Sequence, residues 1–329
     1  MSGALELTRC AALVTVQDGG RPGHLARGLA RGGAADRQAL AEASALLRVG
    51  CTLSALEIAA GPVTLRADRD VVLALTGAPM AAATDGRALA WHAAHSIPAG
   101  TELSLIPGGQ GTYSYVTPDG GLATPELLGS RAAHRIAGIG AALSTGDRLP
   151  LGEPRAVAPA RLSRPEDRFA GGVLRCVPTP QTALFPRAEL ARFQAAAFRR
   201  DPRGNRQGVR LTLDGPGFAT EGQLALLSDF VLPGDVQTTG DGVPYVLGPE
   251  CQTTGGYPRI AHVIAADLPR AMQAPPGAAL RFEMIEIAAA RAVRPTVPAI
   301  VPLVRDPRDI PDLGGYQLID GVVDGTEGR

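Results

Sequence analysis

The chain has 329 residues, 45% of them hydrophobic, and its 32 basic and 32 acidic side chains give a formal net charge of zero. This composition is typical of a globular protein with an ample core and argues against wholesale disorder. The balanced charge gives no bulk electrostatic support for binding nucleic acid or a membrane surface, and no apolar run has the length that a bilayer requires. Residues 1–10 contain Glu6 and Arg9 and lack the apolar segment of a signal peptide. We therefore expect a cytoplasmic protein with no nucleic-acid or membrane partner.

Every one of the 32 basic residues is arginine. A chain without lysine has no standard Walker A loop, forms no lysine Schiff base and cannot carry lysine-linked biotin. The four cysteines lie far apart and have no zinc-ligand spacing with the five histidines. We expect the cysteines to be small buried hydrophobes, and we expect no metal site. Cys251 adjoins a polar loop, but the sequence gives no reason to treat it as a nucleophile.

Short apolar or alternating runs, separated by glycine and proline, predict a mainly β chain, as a sandwich or barrel. Two segments predict helices instead: residues 36–49, where Asp36 can cap the N-terminus, and residues 186–200, where Pro186 stands near the start. In chain order, the predicted strands span residues 13–17, 63–66, 71–75, 103–106, 112–116, 173–177, 208–213, 243–247 and 280–287.

Prolines that alternate with charged residues and alanine over 152–172 predict a linker. The linker would divide the chain into two β-rich units, at residues 1–155 and 172–290. Five prolines after residue 291 exclude one long helix there. We expect residues 291–329 to form an extended arm that packs on a neighbour.

Two polar loops are the main candidates for a site. Residues 252–259 read Gln-Thr-Thr-Gly-Gly-Tyr-Pro-Arg between two apolar runs, and residues 205–210 read Asn-Arg-Gln-Gly-Val-Arg. Glycine lets backbone approach a ligand, and arginine grips carboxylates and amides through paired N–H groups. A hairpin turn and surface solvation are the structural alternatives. If both loops serve one site, they must meet in one cleft.

Near the N-terminus, Asp18 and Arg21 flank two glycines and can present a carboxylate beside a guanidinium, or simply stabilise a turn. Two glycines also precede Asp36 and Arg37, where a helix N-terminus can attract an anion or can simply be capped by Asp36. The candidate catalytic residues are thus Arg206, Gln252, Thr254 and Tyr257, and the candidate substrate-binding residues are Asp18, Arg21, Asp36, Arg37, Asn205, Thr253, Gly255, Gly256 and Arg259.

These motifs, in their order along the chain, resemble the family called allophanate hydrolase subunit 2, or biotin-dependent carboxyltransferase-like. The family includes the C subunit of 5-oxoprolinase, the antagonist of a sporulation-kinase inhibitor, and the carboxyltransferase region of urea amidolyase. The resemblance covers about residues 5–285. It is carried by Thr15–Asp18 with Gly20–Gly23, Gly33-Ala34 with Asp36-Arg37, Leu56-Glu57-Ile58, Leu75–Ala78, Leu128–Arg131, Pro180-Gln181, Arg206 with Gly208 and Arg210-Leu211, Gln252–Ile260, and Asp267-Leu268.

The resemblance implies two cyclophilin-like β-barrel subdomains with a few short helices. It also implies a small amide substrate and two partner proteins, a B subunit that is similar to the kinase inhibitor, and an A subunit. The implied reaction is the ATP-dependent opening of 5-oxoproline to glutamate. Biotin-dependent carboxyl transfer to urea or a related amide, and non-catalytic binding that antagonises a kinase inhibitor, are the alternatives. No covalently bound cofactor is implied; ATP would enter through the complex, and biotin only on a carrier domain.

The chain departs from the family pattern at several positions. Ala132 replaces a usual hydroxyl residue, Val243 a usual glutamine, and Glu250 stands near the place of a usual aspartate. The enzyme and the regulatory alternatives therefore both stay open at the level of sequence.

Overall fold

Short strands dominate the computed structural model of the chain, which describes residues 3–59, 61–165, 167–220, 226–294 and 296–304. The strands are β1 Ala4–Cys10, β2 Leu13–Gln17, β3 Ala55–Ala59, β4 Val63–Ala67, β5 Val71–Gly77, β6 Met80–Thr84, β7 Arg87–Leu89, β8 Ala93–Ile97, β9 Glu102–Pro107, β10 Tyr113–Pro118, β11 Arg148–Pro150, β12 Ala160–Leu162, β13 Gly172–Val177, β14 Phe198–Arg200, β15 Gly208–Thr212, β16 Asp229–Phe230, β17 Asp235–Thr238, β18 Pro244–Leu247, β19 Thr254–Gly255, β20 Arg259–Val263, β21 Ala279–Met284 and β22 Ile300–Pro302. The helices are α1 Arg37–Leu46, α2 Arg187–Ala195, α3 Leu268–Gln273 and α4 Ile287–Ala292.

The first unit consists of two sheets that share an apolar core. One has six strands in the order β11-β1-β4-β9-β6-β7, and the other has seven in the order β2-β3-β10-β5-β8-β12-β22. Leu7 and Leu65 from the first sheet lie in one buried cluster with Leu56 and Leu75 from the second. Because side chains alternate along a strand, β4 buries its apolar residues here and exposes Arg66.

The second unit is a closed barrel in which strands neighbour one another in the order β13-β20-β17-β18-β15-β14-β21. Four phenylalanines contribute to its core. Phe193 of α2 stacks on Phe282 of β21 with ring centroids 4.5 Å apart, and Phe198 and Phe218 pack around this pair. A mainly β fold with a barrel is therefore confirmed.

One apolar cluster continues from the barrel into the first unit. It joins Ala271 and Met272 of α3 to Leu40 of α1 and to the buried rings of Tyr113 and Tyr115 on β10. The two units are thus packed on each other through residues of β10, α1 and α3. Tyr113 also lines the groove described below.

The predicted helices are both present, and both are shorter than predicted: α1 ends at Leu46 and α2 at Ala195. Asp36 Oδ1 caps α1 by accepting a hydrogen bond from the N–H of Ala39 at 3.0 Å. The chain leaves α2 at Ala196, and Phe198–Arg200 pairs as β14 with β15 and β21. Helix-forming residues here yield to tertiary strand pairing, so the predicted helix over 186–200 is wrong at its end.

The predicted linker and the predicted arm each contribute a strand, and the two strands pair with each other. Ala160–Leu162, within the predicted linker, forms β12 of the seven-stranded sheet and pairs with β22 of the predicted arm, which is the end strand. The main-chain carbonyl of Thr296 accepts a hydrogen bond from Gln38 Nε2 at 2.6 Å. The described part of the arm therefore packs on its own chain, and residues 305–329 lie outside the described residues. Within the described part of the chain, no helix is both long and apolar enough to cross a membrane.

Candidate functional site

A groove of about 740 Å³ lies between the two units. One wall is formed by residues 107–114, which lead from β9 into β10, and the other by residues between 200 and 207, which follow β14. Pro275 and Pro276 after α3 also line the groove, together with apolar residues of the first unit such as Ile58 and Met80. Concave sites of this size at unit boundaries are where small ligands commonly bind.

A second pocket, of about 220 Å³, adjoins the groove, and most of the side chains that line it carry polar groups. Asn205 and Gln207 line both cavities, so this loop is a shared wall. Gln237, Gln252 and Tyr257 line the smaller pocket, in which Gln252 Nε2 donates to Gln237 Oε1 at 2.9 Å. The two polar loops recognised in the sequence therefore meet in space, as the sequence predicts.

Local hydrogen bonds shape the first loop. Asn205 Oδ1 accepts from the N–H of Gln207 at 2.7 Å, and Asn205 and Gly208 exchange main-chain hydrogen bonds. This arrangement is a compact asparagine turn, which leads directly into β15. The turn holds the exposed side chains of Asn205 and Gln207 over the two cavities.

The second loop is built around the short β16–β19 ribbon. The main-chain carbonyl of Thr253 accepts from the N–H of Val231, and Thr254 and Gly255 pair with β16. A Cβ atom added at Gly255 would lie 2.9 Å from Gln237 Nε2, so glycine allows the amide to rest against the backbone. Tyr257 is 49% exposed. Its ring therefore stands at the rim of the smaller pocket.

Arg206 lies in a buried ionic cluster beneath the groove. Its Nε donates to Glu250 Oε1 at 2.6 Å, its Nη1 donates to Glu57 Oε1, and its Nη2 donates to the carbonyl of Gly33 at 2.6 Å. Burial opposes the charge of Arg206, but the two carboxylates outweigh burial and raise the pKa of its guanidinium. Arg206 thus joins the barrel to β3 and to the segment before α1.

The cluster continues into the first unit through hydrogen bonds. Glu57 Oε2 accepts from the Tyr115 hydroxyl at 2.7 Å and from the N–H of Ala35 at 2.8 Å. The Tyr115 hydroxyl oxygen in turn accepts from the N–H of Asp36 at 2.8 Å. Burial, followed by Glu57, raises the pKa of Tyr115, so this phenol is neutral near pH 7 and can donate to Glu57.

Asp36 carries the network onward from its capping position. Its Oδ2 accepts from Arg168 Nε at 2.7 Å and from Gln273 Nε2 at 2.8 Å. Arg168 also forms a bidentate pair with Glu42, with distances of 2.7 and 2.9 Å. Gln273 belongs to α3, so Asp36 also links the two units.

These contacts give Arg206 and Asp36 a structural role, and the expected catalytic and substrate-binding roles stay predictions. Each guanidinium nitrogen of Arg206 already donates to a protein acceptor, and both oxygens of Asp36 already accept. Removing one member would leave buried charge unpaired. The structure supports a role for both residues in holding the two units together.

Asp18 and Arg21 also make contacts within the fold. Asp18 accepts from the N–H of Gly20, from Ser130 Oγ and from the N–H of Arg131 at 2.6–2.8 Å. Arg21 has no exposed surface and donates to the carbonyls of Leu127, Ser130 and Ala132. Burial lowers the pKa of Arg21, opposed by nearby Asp18 and Glu250. The turn-stabilising alternative therefore accounts for both residues.

The remaining candidates, Arg259, Arg37, Thr254 and Gly256, line neither cavity. Arg259 is 8% exposed and holds β16 in place by donating to the carbonyl of Phe230 and to Asp229 and Gln181. Arg37 is exposed on α1 and lines neither cavity. Thr254 lies on the ribbon and Gly256 directly follows it, and neither lines the smaller pocket. Substrate-binding and catalytic roles for these residues stay predictions.

The lining residues that were not anticipated from the sequence include Gln237, Tyr113 and Arg200. They come from β17, β10 and β14, which approach one another only in the folded chain. Cys251 is 3% exposed, and burial raises the pKa of its thiol to about 12, so it is not a thiolate near neutral pH. Among the described residues, no cluster of three or more His, Cys, Asp or Glu side chains is placed to hold a metal ion.

The two-unit β fold with a groove at the unit boundary is that of a carboxyltransferase-type domain. Residues 27–284 match the family model described as carboxyltransferase domain, subdomain A and B, and the chain belongs to this family. The resemblance found in the sequence is thereby confirmed.

The chain is similar in sequence to three named proteins. The chain is 35% identical over 282 residues to the 5-oxoprolinase C subunit of Escherichia coli, covering 84% of this chain and 90% of that protein. It is 29% identical over 290 residues to the 5-oxoprolinase C subunit of Haemophilus influenzae. It is 24% identical to urea amidolyase of Lachancea kluyveri, where it spans only 18% of that protein.

Solved structures show the same fold. TTHA0988 superposes with a TM-score of 0.77 at 31% identity, covering 86% of this chain. The chain spans 56% of the length of that protein. The urea amidolyase of Kluyveromyces lactis superposes with a TM-score of 0.79 at 23% identity, which shows a shared fold.

Proposed function

We propose that this chain serves as the C subunit of an ATP-dependent 5-oxoprolinase, which opens 5-oxoproline to glutamate. Its proposed partners correspond to the B and A subunits of that enzyme, the former being a kinase-inhibitor-like protein. The observation that carries the proposal is the match to the 5-oxoprolinase C subunit of Escherichia coli over 84% of this chain and 90% of the relative. A match of this extent includes both units and the groove between them.

The amide-lined pocket supports a small amide substrate. A cyclic amide presents an N–H group and a carbonyl oxygen side by side, and a primary amide side chain offers the complementary acceptor and donor. Gln252 uses Nε2 to hold Gln237, and no described residue donates to its Oε1. That oxygen is available to accept from the N–H of a lactam, while Asn205 and Tyr257 supply further polar groups at the rim.

The absence of lysine supports ATP use elsewhere in the complex. A standard phosphate-binding loop needs a lysine, and all 32 basic residues here are arginine. In the proposed assembly a partner therefore supplies the nucleotide site, and this chain contributes the groove and pocket.

The proposal is tested by co-expressing the chain with partners of the B and A types and measuring ATP-dependent formation of glutamate from 5-oxoproline. Gln252→Ala should lower the rate, because it removes the proposed acceptor. Gln194→Ala, a matched change at an exposed residue of α2 outside both cavities, should leave the rate unchanged. A complex that forms but makes no glutamate would favour the non-catalytic regulatory alternative.

A second candidate is biotin-dependent carboxyl transfer to urea or a related amide. The name of the matching family model, carboxyltransferase domain, favours it. Because the chain has no lysine, the biotin would have to arrive on a separate carrier domain. Carboxylation of urea by the complex on addition of a biotinylated carrier, without glutamate formation, would select this candidate.

A further inference from the structure

Arg200 is a buried arginine at the mouth of the barrel. It ends β14, where Phe198 and Arg200 point to the same face because side chains alternate along a strand. Phe198 lies in the core, whereas Arg200 reaches the groove wall while only 4% of its surface is exposed. Arg199, between them, points outward.

Arg200 lacks the partners that the other buried arginines have. Across the described ranges, no carboxylate, carbonyl or hydroxyl group accepts a hydrogen bond from its guanidinium, and its buried Nε has no partner. By contrast, Arg206 and Arg168 each pair with two carboxylates. A Cβ atom added at Gly204 would lie 3.3 Å from Arg200 Nη2, so that glycine makes room for the guanidinium.

The carboxylate that acts electrostatically on Arg200, that of Asp201, is already shared. Asp201 pairs with Arg203 and with Arg210, so one aspartate faces three arginines when Arg200 is included. Three positive charges against one negative charge leave an excess of two. Burial lowers the pKa of Arg200, and the nearby Tyr113 and Asp201 only oppose that effect.

A phenol stands close to this charge. Tyr113 lines the groove and is 4% exposed, and no described residue forms a hydrogen bond with its hydroxyl group. Burial, followed by Glu57, raises the pKa of Tyr113 to about 12, so the phenol keeps its proton near pH 7. It can therefore donate a hydrogen bond to a ligand in the groove.

A buried cation without a partner is unfavourable, because burial removes water without supplying an opposite charge. We infer that Arg200, together with the Tyr113 hydroxyl, binds an oxyanion of a ligand in the groove, either a carboxylate or a phosphate. The inference deepens the proposed function and rests on it for the identity of the ligand. In that reaction 5-oxoproline carries a carboxylate, and ATP is the source of phosphate.

The test measures binding to the isolated chain by calorimetry, with 5-oxoproline, 2-pyrrolidinone and inorganic phosphate as probes. Binding of 5-oxoproline but not of 2-pyrrolidinone, which lacks only the carboxylate, assigns the site to a carboxylate. Binding of inorganic phosphate alone assigns it to phosphate. In either case Arg200→Met should weaken binding at least about thirtyfold, the effect of truncating one partner of a buried charged pair.

Arg199→Met is the matched control, since Arg199 precedes Arg200 in β14, is exposed on the opposite face of the strand and lines neither cavity. It should change the affinity less than about twofold. If Arg200→Met does not fold, Tyr113→Phe replaces it, because the ring stays in place and only the hydroxyl is lost. Unchanged affinity in the variant that folds would overturn the inference, as would failure of wild type to bind either oxyanion.

The two proposals fail separately. Oxyanion binding that depends on Arg200, in a chain whose complex makes no glutamate, would retain the inference and reject the proposed reaction. Glutamate formation by an Arg200→Met complex with an unchanged KM for both 5-oxoproline and ATP would retain the reaction and reject the inference.

Discussion

Arg206→Ala should destabilise the folded chain strongly. The side-chain exposures of Arg206, Glu57 and Glu250 are 7%, 2% and 3%, so the substitution would leave two buried carboxylates without their cation. Breaking a buried ion pair by removing one partner costs about 3–5 kcal/mol. For units of this size the loss corresponds to a fall in melting temperature of roughly 6–20 °C.

The assay is the unfolding midpoint in urea and by heating, followed by circular dichroism. Arg203→Ala is the control, because Arg203 is in the same loop but its side chain is 69% exposed, and its loss should cost less than about 1 kcal/mol. Lowering the pH should reduce the Arg206→Ala defect, because orphaned carboxylates have raised pKa values in the fold and take up protons more readily than in the unfolded chain. An Arg206→Ala chain as stable as wild type would refute the assignment of Arg206 to the inter-unit network.

Three further outcomes follow from the structure. Gly255→Ala should displace the Gln237 amide, because its Nε2 would lie 2.9 Å from the new Cβ. Glutamate formation should then fall about tenfold, while the free energy of unfolding changes by less than about 1 kcal/mol. An unaltered rate would show that this pocket takes no part in the reaction. Burial lowers the pKa of His92 from 6.5 to about 4, so the unfolded chain takes up a proton that the folded chain does not, and the free energy of unfolding falls by roughly 2 kcal/mol as the pH drops from 7 to 5. His92→Asn should therefore make the urea midpoint depend less on pH over this range. Equal pH dependence of the two chains would contradict this expectation. Native Cys251 should resist iodoacetamide at pH 8 while exposed Cys51 reacts, as peptide mass spectrometry would show, and equal labelling would contradict its burial.

Much of the fold could be predicted from the sequence because local patterns specify it. Alternation predicted strands such as β2 and β15, and Asp36 caps α1 as predicted. The error at residues 198–200 has a non-local cause. Nothing adjacent in sequence shows that Phe198–Arg200 will pair with β15 and β21 instead of extending α2.

The site was predicted in part, for a related physical reason. Loops rich in glycine and amides are visible in the sequence, and two of them do meet at one pocket. The sequence does not show which groups each arginine side chain contacts in the folded chain. Arg206 finds Glu57 across 149 residues, whereas Arg200, six residues before Arg206, finds no partner among the described residues. Tertiary contacts thus decide which arginine is structural and which is available to a ligand.

The most direct test of the proposed function is the partner dependence of ATP hydrolysis. The purified chain, its proposed partners without it, and the full assembly are each supplied with ATP and 5-oxoproline, and phosphate and glutamate are measured together. We expect no turnover by the isolated chain, and glutamate formation coupled to ATP hydrolysis only when this chain is present. Robust ATP hydrolysis by the isolated chain, or equal glutamate formation by the partners without it, would contradict the account.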